Sequence, residues 1–428
     1  MIARRTTFGS VFGAQPELCV QKQHQDVPMG RAEFVGLIAM MYATIAFSID
    51  AMLPVLPEIA RELSPELAHR APLILTAFVL GMGIGTFFTG LLSDAFGRRP
   101  VIFAGTALYC AATIVAWNSA SLEMMLIARL FQGLGASAPR IVTIAVVRDL
   151  FAGREMAKIV SFIMLIFTLV PAFAPAMGAL IVQTAGWRAI YLTFLVFSAI
   201  SVIWMGLRLP ETLRPENRRP LRVPLLARAL REILSHPAVR LPILVQSLAM
   251  AMPFCTLMLV QPIYEQVYDR ASSFPYWFGG VALIAGSGSI LNALLVERFG
   301  MRPLVTITLG FQIILSGGMW LAGVADMAEP YGFAAFLIWQ LCLFMQAGLT
   351  LGNLNAIAME PMGHIAGMAA SVIGAISTVL AALIASFVGM LFTGDVSLLF
   401  GAIACMAATG FVLMLFMTRV EARMSAAQ

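Results

Sequence analysis

Residues 81–101 read GMGIGTFFTGLLSDAFGRRPV, and residues 286–304 read GSGSILNALLVERFGMRPL. At an offset of 203 residues, Gly83 and Gly85 fall on Gly286 and Gly288, Asp94 on Glu297, and Phe96 and Gly97 on Phe299 and Gly300. Arg99 and Pro100 likewise fall on Arg302 and Pro303. Each copy is the end of a long apolar run followed by a short charged loop. A repeat on this scale means that the chain is built from two related halves, and the apolar runs around it say what those halves are.

Of the 428 residues, 60% are hydrophobic and 11% are charged, against about 25% charged in an ordinary soluble domain. This composition excludes a soluble enzyme. Punctuation by Pro, Gly and charge divides the chain into twelve apolar runs. They cover about 32–56, 72–92, 99–118, 122–147, 157–182 and 187–207, then 241–264, 275–296, 303–323, 331–357, 365–392 and 396–418. A run of roughly 20 residues is what a helix needs to cross about 30 Å of hydrocarbon. The expected fold is therefore all-α and polytopic: twelve transmembrane helices in two pseudo-symmetric six-helix bundles. Because an even number of spans separates the copies, both halves keep the same orientation, a parallel repeat about an axis along the membrane normal.

Basic residues set the orientation. With the N-terminus inside, the cytoplasmic segments hold Arg98, Arg99, Arg154, Lys158, Arg298, Arg302, Arg419 and Arg423, together with eight arginines from Arg208 to Arg240. The outer loops hold only Arg61, Arg70, Arg188 and Arg270. The expected organisation is a polar cytoplasmic tail over 1–31, an N-terminal bundle over 32–207, a cytoplasmic linker over 208–240, a C-terminal bundle over 241–418 and a cytoplasmic tail over 419–428, with both termini cytoplasmic. The first residues lack the apolar core of a signal peptide, and Met29 competes with Met1 as the start. The basic linker is explained by retention inside and attraction to anionic lipid, so no nucleic-acid partner is expected. Cys19, Cys110, Cys255, Cys342 and Cys405 are scattered singly, which predicts neither a disulfide nor a metal site.

Ionisable residues inside the spans are functional candidates, because an unpaired charge in hydrocarbon is costly. The first span carries Asp50 in FSIDAMLPVLPEI, about two turns before an outer end marked by Pro54, Pro57 and Glu58. The fourth carries Arg129 near its outer end and Arg140 deeper, in RLFQGLGASAPRIVTIAVVRDLF. Spans one and four run in opposite directions, so Asp50 and Arg129 fall at similar depth and are candidates for one shared cavity. Removal from water favours the neutral acid, and a nearby guanidinium favours the carboxylate. That balance suits a group that takes up and releases a proton near neutral pH; a permanent structural ion pair is the alternative. Ligand-cavity candidates are Tyr42, Phe47, Gln132, Arg140, Gln246, Met250, Phe254, Gln261 and Gln346, where methionine and phenylalanine suit a surface that repacks around varied apolar ligands. Gln340, Asn353 and Asn355 are further polar residues of the second half.

These stretches resemble a known family. Gly90, Asp94, Gly97, Arg98 and Arg99 resemble the loop between the second and third spans of the major facilitator superfamily, with Ala95 where the family usually has a basic residue. At the cytoplasmic rim these charges can pair in one state only, as a gate does, with Arg148 and Asp149 at the end of the fourth span as the expected partners. Arg129, Gln132, Gly133 and Gly135 resemble the Arg-x-x-Gln-Gly-x-Gly element of drug/proton antiporters. Pro171, Pro175 and Gly178 in LVPAFAPAMGALI resemble the helix-bending element of the superfamily's exporters, although Ala174 and Ala179 replace two glycines. From the first to the sixth span the pattern is similar to the bicyclomycin-resistance (Bcr/CflA) group. That implies a bacterial inner-membrane antiporter that exports drug-like antimicrobials in exchange for protons, with Asp50 and Arg129 in proton coupling.

No cofactor is expected, since the chain has no Gly-x-x-x-x-Gly-Lys-Ser/Thr loop for ATP. A monomer in contact with lipid, drug and protons is the expected assembly. A metabolite or amino-acid exporter, a nutrient/proton symporter and a membrane sensor of the same fold stand as alternatives. An intramembrane enzyme is disfavoured, because His24, His69, His236 and His364 all lie in loops or the tail.

Overall fold

The structure, a computed structural model, describes residues 29–426 except Arg219, Arg222, Ala325, Asp326 and Ala328. Cys19, His24 and the rest of the expected tail up to position 28 lie outside the described residues, as do the side chains of His69, His364 and the positions from Thr418 onward. Fifteen α-helices follow in order: α1 (Arg31–Asp50), α2 (Leu56–Leu63), α3 (Leu73–Phe96), α4 (Arg98–Trp117), α5 (Leu122–Leu150), α6 (Gly153–Ala185), α7 (Ala189–Arg208), α8 (Val223–Ser235), α9 (Pro237–Gln266), α10 (Phe274–Ala285), α11 (Ser287–Phe299), α12 (Met301–Leu321), α13 (Tyr331–Met359), α14 (Ala366–Leu391) and α15 (Val396–Ala426). Among the described residues, twelve stretches are long and apolar enough to cross a membrane. The first joins α1 to α2, and the eighth joins α10 to α11. Large apolar side chains such as Leu207, Ile314 and Leu321 stand exposed on the outside of the bundle, as they do when lipid is the solvent.

The segment expected as a plain linker holds a helix. α8 turns Ile233 into a small core with Val239 and Ile243 of α9 and with Ala369, Val372 and Ile373 of α14. Its alternation of apolar and arginine positions, LLARALREIL, has the helical period, which prolines on the N-terminal side obscure.

Packing within each half rests on small residues, because lipid supplies no hydrophobic drive for helices to associate. Gly81 of α3 faces the Leu130 carbonyl of α5, and Gly133 of α5 faces the Phe78 carbonyl of α3, each so closely that a Cβ would overlap the backbone opposite. Gly105 of α4 and Gly135 of α5 repeat this on the other side of α5. The second half also packs through glycines: Gly288 of α11 meets Met345 of α13, and Gly348 of α13 meets Ser289.

The halves meet along two helix pairs. α3 runs beside α14, with Gly83 against Val379 and Gly90 against Ser371. α6 packs on α10, with Ala172 against Gly279 and Thr168 against Gly286. At the face opposite the arginine-rich linker, α9 also closes on the 3-10 turn Leu53–Val55. Toward the arginine-rich face, α11 packs instead on α12 and α13 of its own half.

Gly133→Val should force α5 off α3 and lower the detergent-solubilised melting temperature sharply. Gly280→Ala, at a glycine with open space around it, should leave the melting temperature unchanged or slightly raised, as alanine is the better helix former. Equal melting temperatures for the two variants would contradict this packing.

Candidate functional site

The first span, expected over about 32–56, is present but is not one continuous helix. α1 ends at Asp50, the chain turns through Ala51 and Met52, and a 3-10 turn at Leu53–Val55 leads into α2. The cause is local. Pro54 has no N–H to offer the Asp50 carbonyl four residues back, and Pro57 likewise fails Leu53. The Met52 N–H bonds to the Ile49 carbonyl at 3.3 Å, three residues back, so the Ser48 carbonyl is left without its usual helical donor.

Arg129 fills that gap. Its Nη2 donates to the Ser48 carbonyl at 3.0 Å, Nε to the Ile74 carbonyl at 3.3 Å, and Nη1 to Gln132 Oε1 at 2.6 Å. The guanidinium lies over the Phe78 ring, 4.5 Å from its centroid. Gln132 in turn donates to Thr113 Oγ1, Thr113 donates to the Tyr109 carbonyl, and the Tyr109 hydroxyl bonds Ser48 Oγ. The first four spans are thereby tied together around one cation that is 0% exposed. A guanidinium offers five donors in a fixed plane, which lets it serve carbonyls on several helices at once.

Arg129 and Asp50 do lie in one region, two residues apart through Ser48, but no ion pair joins them. Among the described residues no hydrogen bond or ion pair reaches the Asp50 carboxylate, although the residue is only 5% exposed. Asp50, Arg98 and Arg129 are the buried charged side chains of the described residues, and Asp50 is the one acid of the three. The helix-bending element seats on this joint: Pro171 and Pro175 lie within α6, and Gly178 packs so closely on the Ala51 carbonyl that any Cβ would overlap it.

The other cavity candidates divide by surroundings. Phe47 packs edge-on to Phe194 with centroids 5.6 Å apart, inside the first bundle. Gln132 is engaged by Arg129 and Thr113. Tyr42 lies edge-on to Phe167 and beside the Arg140 guanidinium. In the second half, Met250 takes a weak hydrogen bond from Thr378, and Phe254 is half-buried on α9. Oε1 of Gln246, Gln261 and Gln346 is buried and unpartnered among the described residues. Gln340 is bonded by the Tyr264 hydroxyl at 3.0 Å, Asn353 donates to Asn292, and Asn355 lies against the Met359 sulfur.

At the arginine-rich face, Gly97 links α3 to α4 with φ of +106°, and Gly300 links α11 to α12 with φ of +80°. Both are backbone shapes that favour glycine, which is why the repeat keeps them. Arg98 donates to Asp94 at 2.6 Å, to Ser93 at 2.6 Å and to Asp149 at 2.8 Å. Arg99 donates to the Gly206 carbonyl at 2.7 Å. Arg148 stands exposed outside this cluster. The second half has a matching tie, Arg302 to Glu360 at 2.9 Å. The residue that sequence reasoning missed is Glu211. Its carboxylate accepts the backbone N–H groups of Arg98, Arg99 and Leu213, at 2.9, 3.0 and 2.9 Å, and so caps α4 where the helix dipole is positive. The available signal was an acid directly after a span in LRLPET, amid arginines.

Removing the hub is costly, because it strands buried carbonyls; bonds from a charged donor contribute about 1.5–3 kcal/mol each. Arg129→Ala should therefore lower the melting temperature more than any other single truncation in the first bundle. Arg129→Lys should rescue it only partly, since an ammonium cannot span the Ser48 and Ile74 carbonyls together. Full rescue by lysine would show that charge alone is needed.

Three comparisons bear on this arrangement. The sequence model of the Major Facilitator Superfamily matches residues 38–386. The chain is 29% identical to a bicyclomycin resistance protein homolog of Haemophilus influenzae, over 83% of this chain and 87% of that one. It is 26% identical to multidrug resistance protein D of Escherichia coli, over 85% and 91% respectively. The crystal structure of a D-xylose-proton symporter superposes with a TM-score of 0.69 over 90% of this chain and 97% of that one, at 16% identity, a likeness of fold alone. With a matched region running from the first span into the eleventh, and twelve spans in two repeated halves, the chain belongs to the major facilitator superfamily of membrane transporters.

Proposed function

We propose that this transporter exports small amphipathic antimicrobial compounds across the bacterial inner membrane in exchange for protons, by alternating access. Resistance functions in the names of full-length relatives support the export of drugs. The observation that carries the proton is the Asp50 carboxylate: buried, without a cation or donor of its own, and placed where the first span breaks.

A carboxylate in such a place loses its charge when it takes up a proton. Its joint is held on one side by Arg129 through the Ser48 carbonyl and on the other by Gly178 against Ala51. A change of charge at Asp50 therefore acts on the contact between α1 and α6, and through α6 on α10 of the other half. In the reading proposed here, protonation from the outside competes with bound drug and favours the state open to the cytoplasm. Loss of the proton inside readies the next drug. The potential adds about 2.3 kcal/mol per charge per 100 mV to the pH gradient. The latch of Arg98, Asp94, Asp149 and Glu211 lies on the face that the arginines assign to the cytoplasm.

In proteoliposomes, Asp50→Asn should abolish uphill drug accumulation driven by a pH gradient, while drug–drug exchange down a gradient and the melting temperature persist. Full proton-driven transport by that variant would overturn the coupling role.

A further inference from the structure

α5 carries two arginines within the membrane, and they are held in opposite ways. Arg129 is fully buried and held by two carbonyls, an amide and a ring. Arg140 is half-buried, and beside it lies the Tyr42 hydroxyl. Among the described residues no carboxylate pairs with Arg140. One turn further along α5, Thr143 is 0% exposed and its hydroxyl is unpartnered among the described residues, whereas Thr44 and Thr86 bond a carbonyl four residues back. Pro139 lies within the helix immediately before Arg140.

Acids that could answer this charge lie elsewhere. Glu33, Asp94, Asp149, Glu155, Glu297 and Glu360 stand at the arginine-rich ends of their helices. Glu58, Glu62, Glu123 and Glu265 stand at the opposite ends. Asp50 is about 12 Å along the first span from Tyr42 by helical rise. By the same measure Arg140, Tyr42 and, in the second half, Gln246 all lie about 13–17 Å from the arginine-rich ends of their helices. By the same rise Gln346 on α13 lies about 20 Å from its arginine-rich end, and Gln246 and Gln346 each have a buried amide oxygen without a partner among the described residues.

A cation left unanswered at mid-depth is costly unless something else supplies the negative partner. We propose that Arg140 anchors the ligand, and that the site takes compounds bearing a carboxylate or another strong hydrogen-bond acceptor and rejects permanent cations. Thr143 and the neutral amides complete the binding of polar groups. The proposal rests on the reading of the chain as an exporter of small compounds, and it names their class.

The test uses the full-length protein in detergent and two aromatic probes of similar size and opposite charge, 2-naphthoate and 2-naphthyltrimethylammonium, with binding followed by the rise in melting temperature. Naphthoate should stabilise the wild type, and the ammonium probe at equal concentration should not. Arg140→Gln should weaken naphthoate about tenfold or more, the scale of a lost charge-assisted bidentate contact. Arg140→Glu should reverse the preference. Arg140→Lys keeps the charge and guards against misfolding of the other variants; it should bind naphthoate several-fold more weakly than the wild type while retaining the preference. Preference for the cation, no preference, binding of neither probe, or wild-type affinity in the glutamine and lysine variants would each overturn the assignment. Because binding here needs no gradient, loss of proton-driven export with the charge preference intact would fault the export reading and spare this one.

Discussion

A fully buried guanidinium in a helical membrane bundle needs acceptors from the protein around it, and the first half of this transporter is arranged around that requirement. Arg129 is answered by carbonyls of the first and second spans, by Gln132 on its own helix and by the face of Phe78. No acid takes part. Pairing with Asp50 would have cancelled both charges and left a neutral, inert site. With carbonyls and a ring as partners instead, the cation is held permanently and the carboxylate two residues beyond its anchor stays free.

That arrangement depends on irregular backbone. The break of the first span at Asp50 leaves the Ser48 carbonyl to Arg129, and the break is written in Pro54 and Pro57. Broken helices are permitted in a membrane where protein, not lipid, covers the freed groups. Here α6 supplies the cover through Gly178, whose missing side chain lets the two backbones touch. The features that resembled separate motifs, a buried acid, an arginine with two glycines and a proline–glycine helix, are parts of one joint.

Much of this was legible in the sequence, and for physical reasons. Apolar length fixed the twelve spans, because hydrocarbon thickness leaves little choice, and the repeat of Gly97 and Gly300 reflects a backbone shape that only glycine adopts easily. The partners of Arg129 were not legible. Backbone carbonyls carry no residue-type signal, and Ser48, Tyr109 and Thr113 look like ordinary polar residues until the fold brings three spans together. Glu211 was hidden in the same way, by the arginines around it. Nor does hydropathy show that Arg140 lacks what Arg129 has, since both are single cations on one helix.

The central claim is that Asp50, kept free by Arg129, is the group that exchanges a proton for ligand. Proton release on adding drug can be read directly with a pH-sensitive dye in lightly buffered micelles of the purified protein. The account predicts release by the wild type and by Glu33→Gln, and silence from Asp50→Asn at a drug concentration that saturates it. Undiminished release from Asp50→Asn would contradict it.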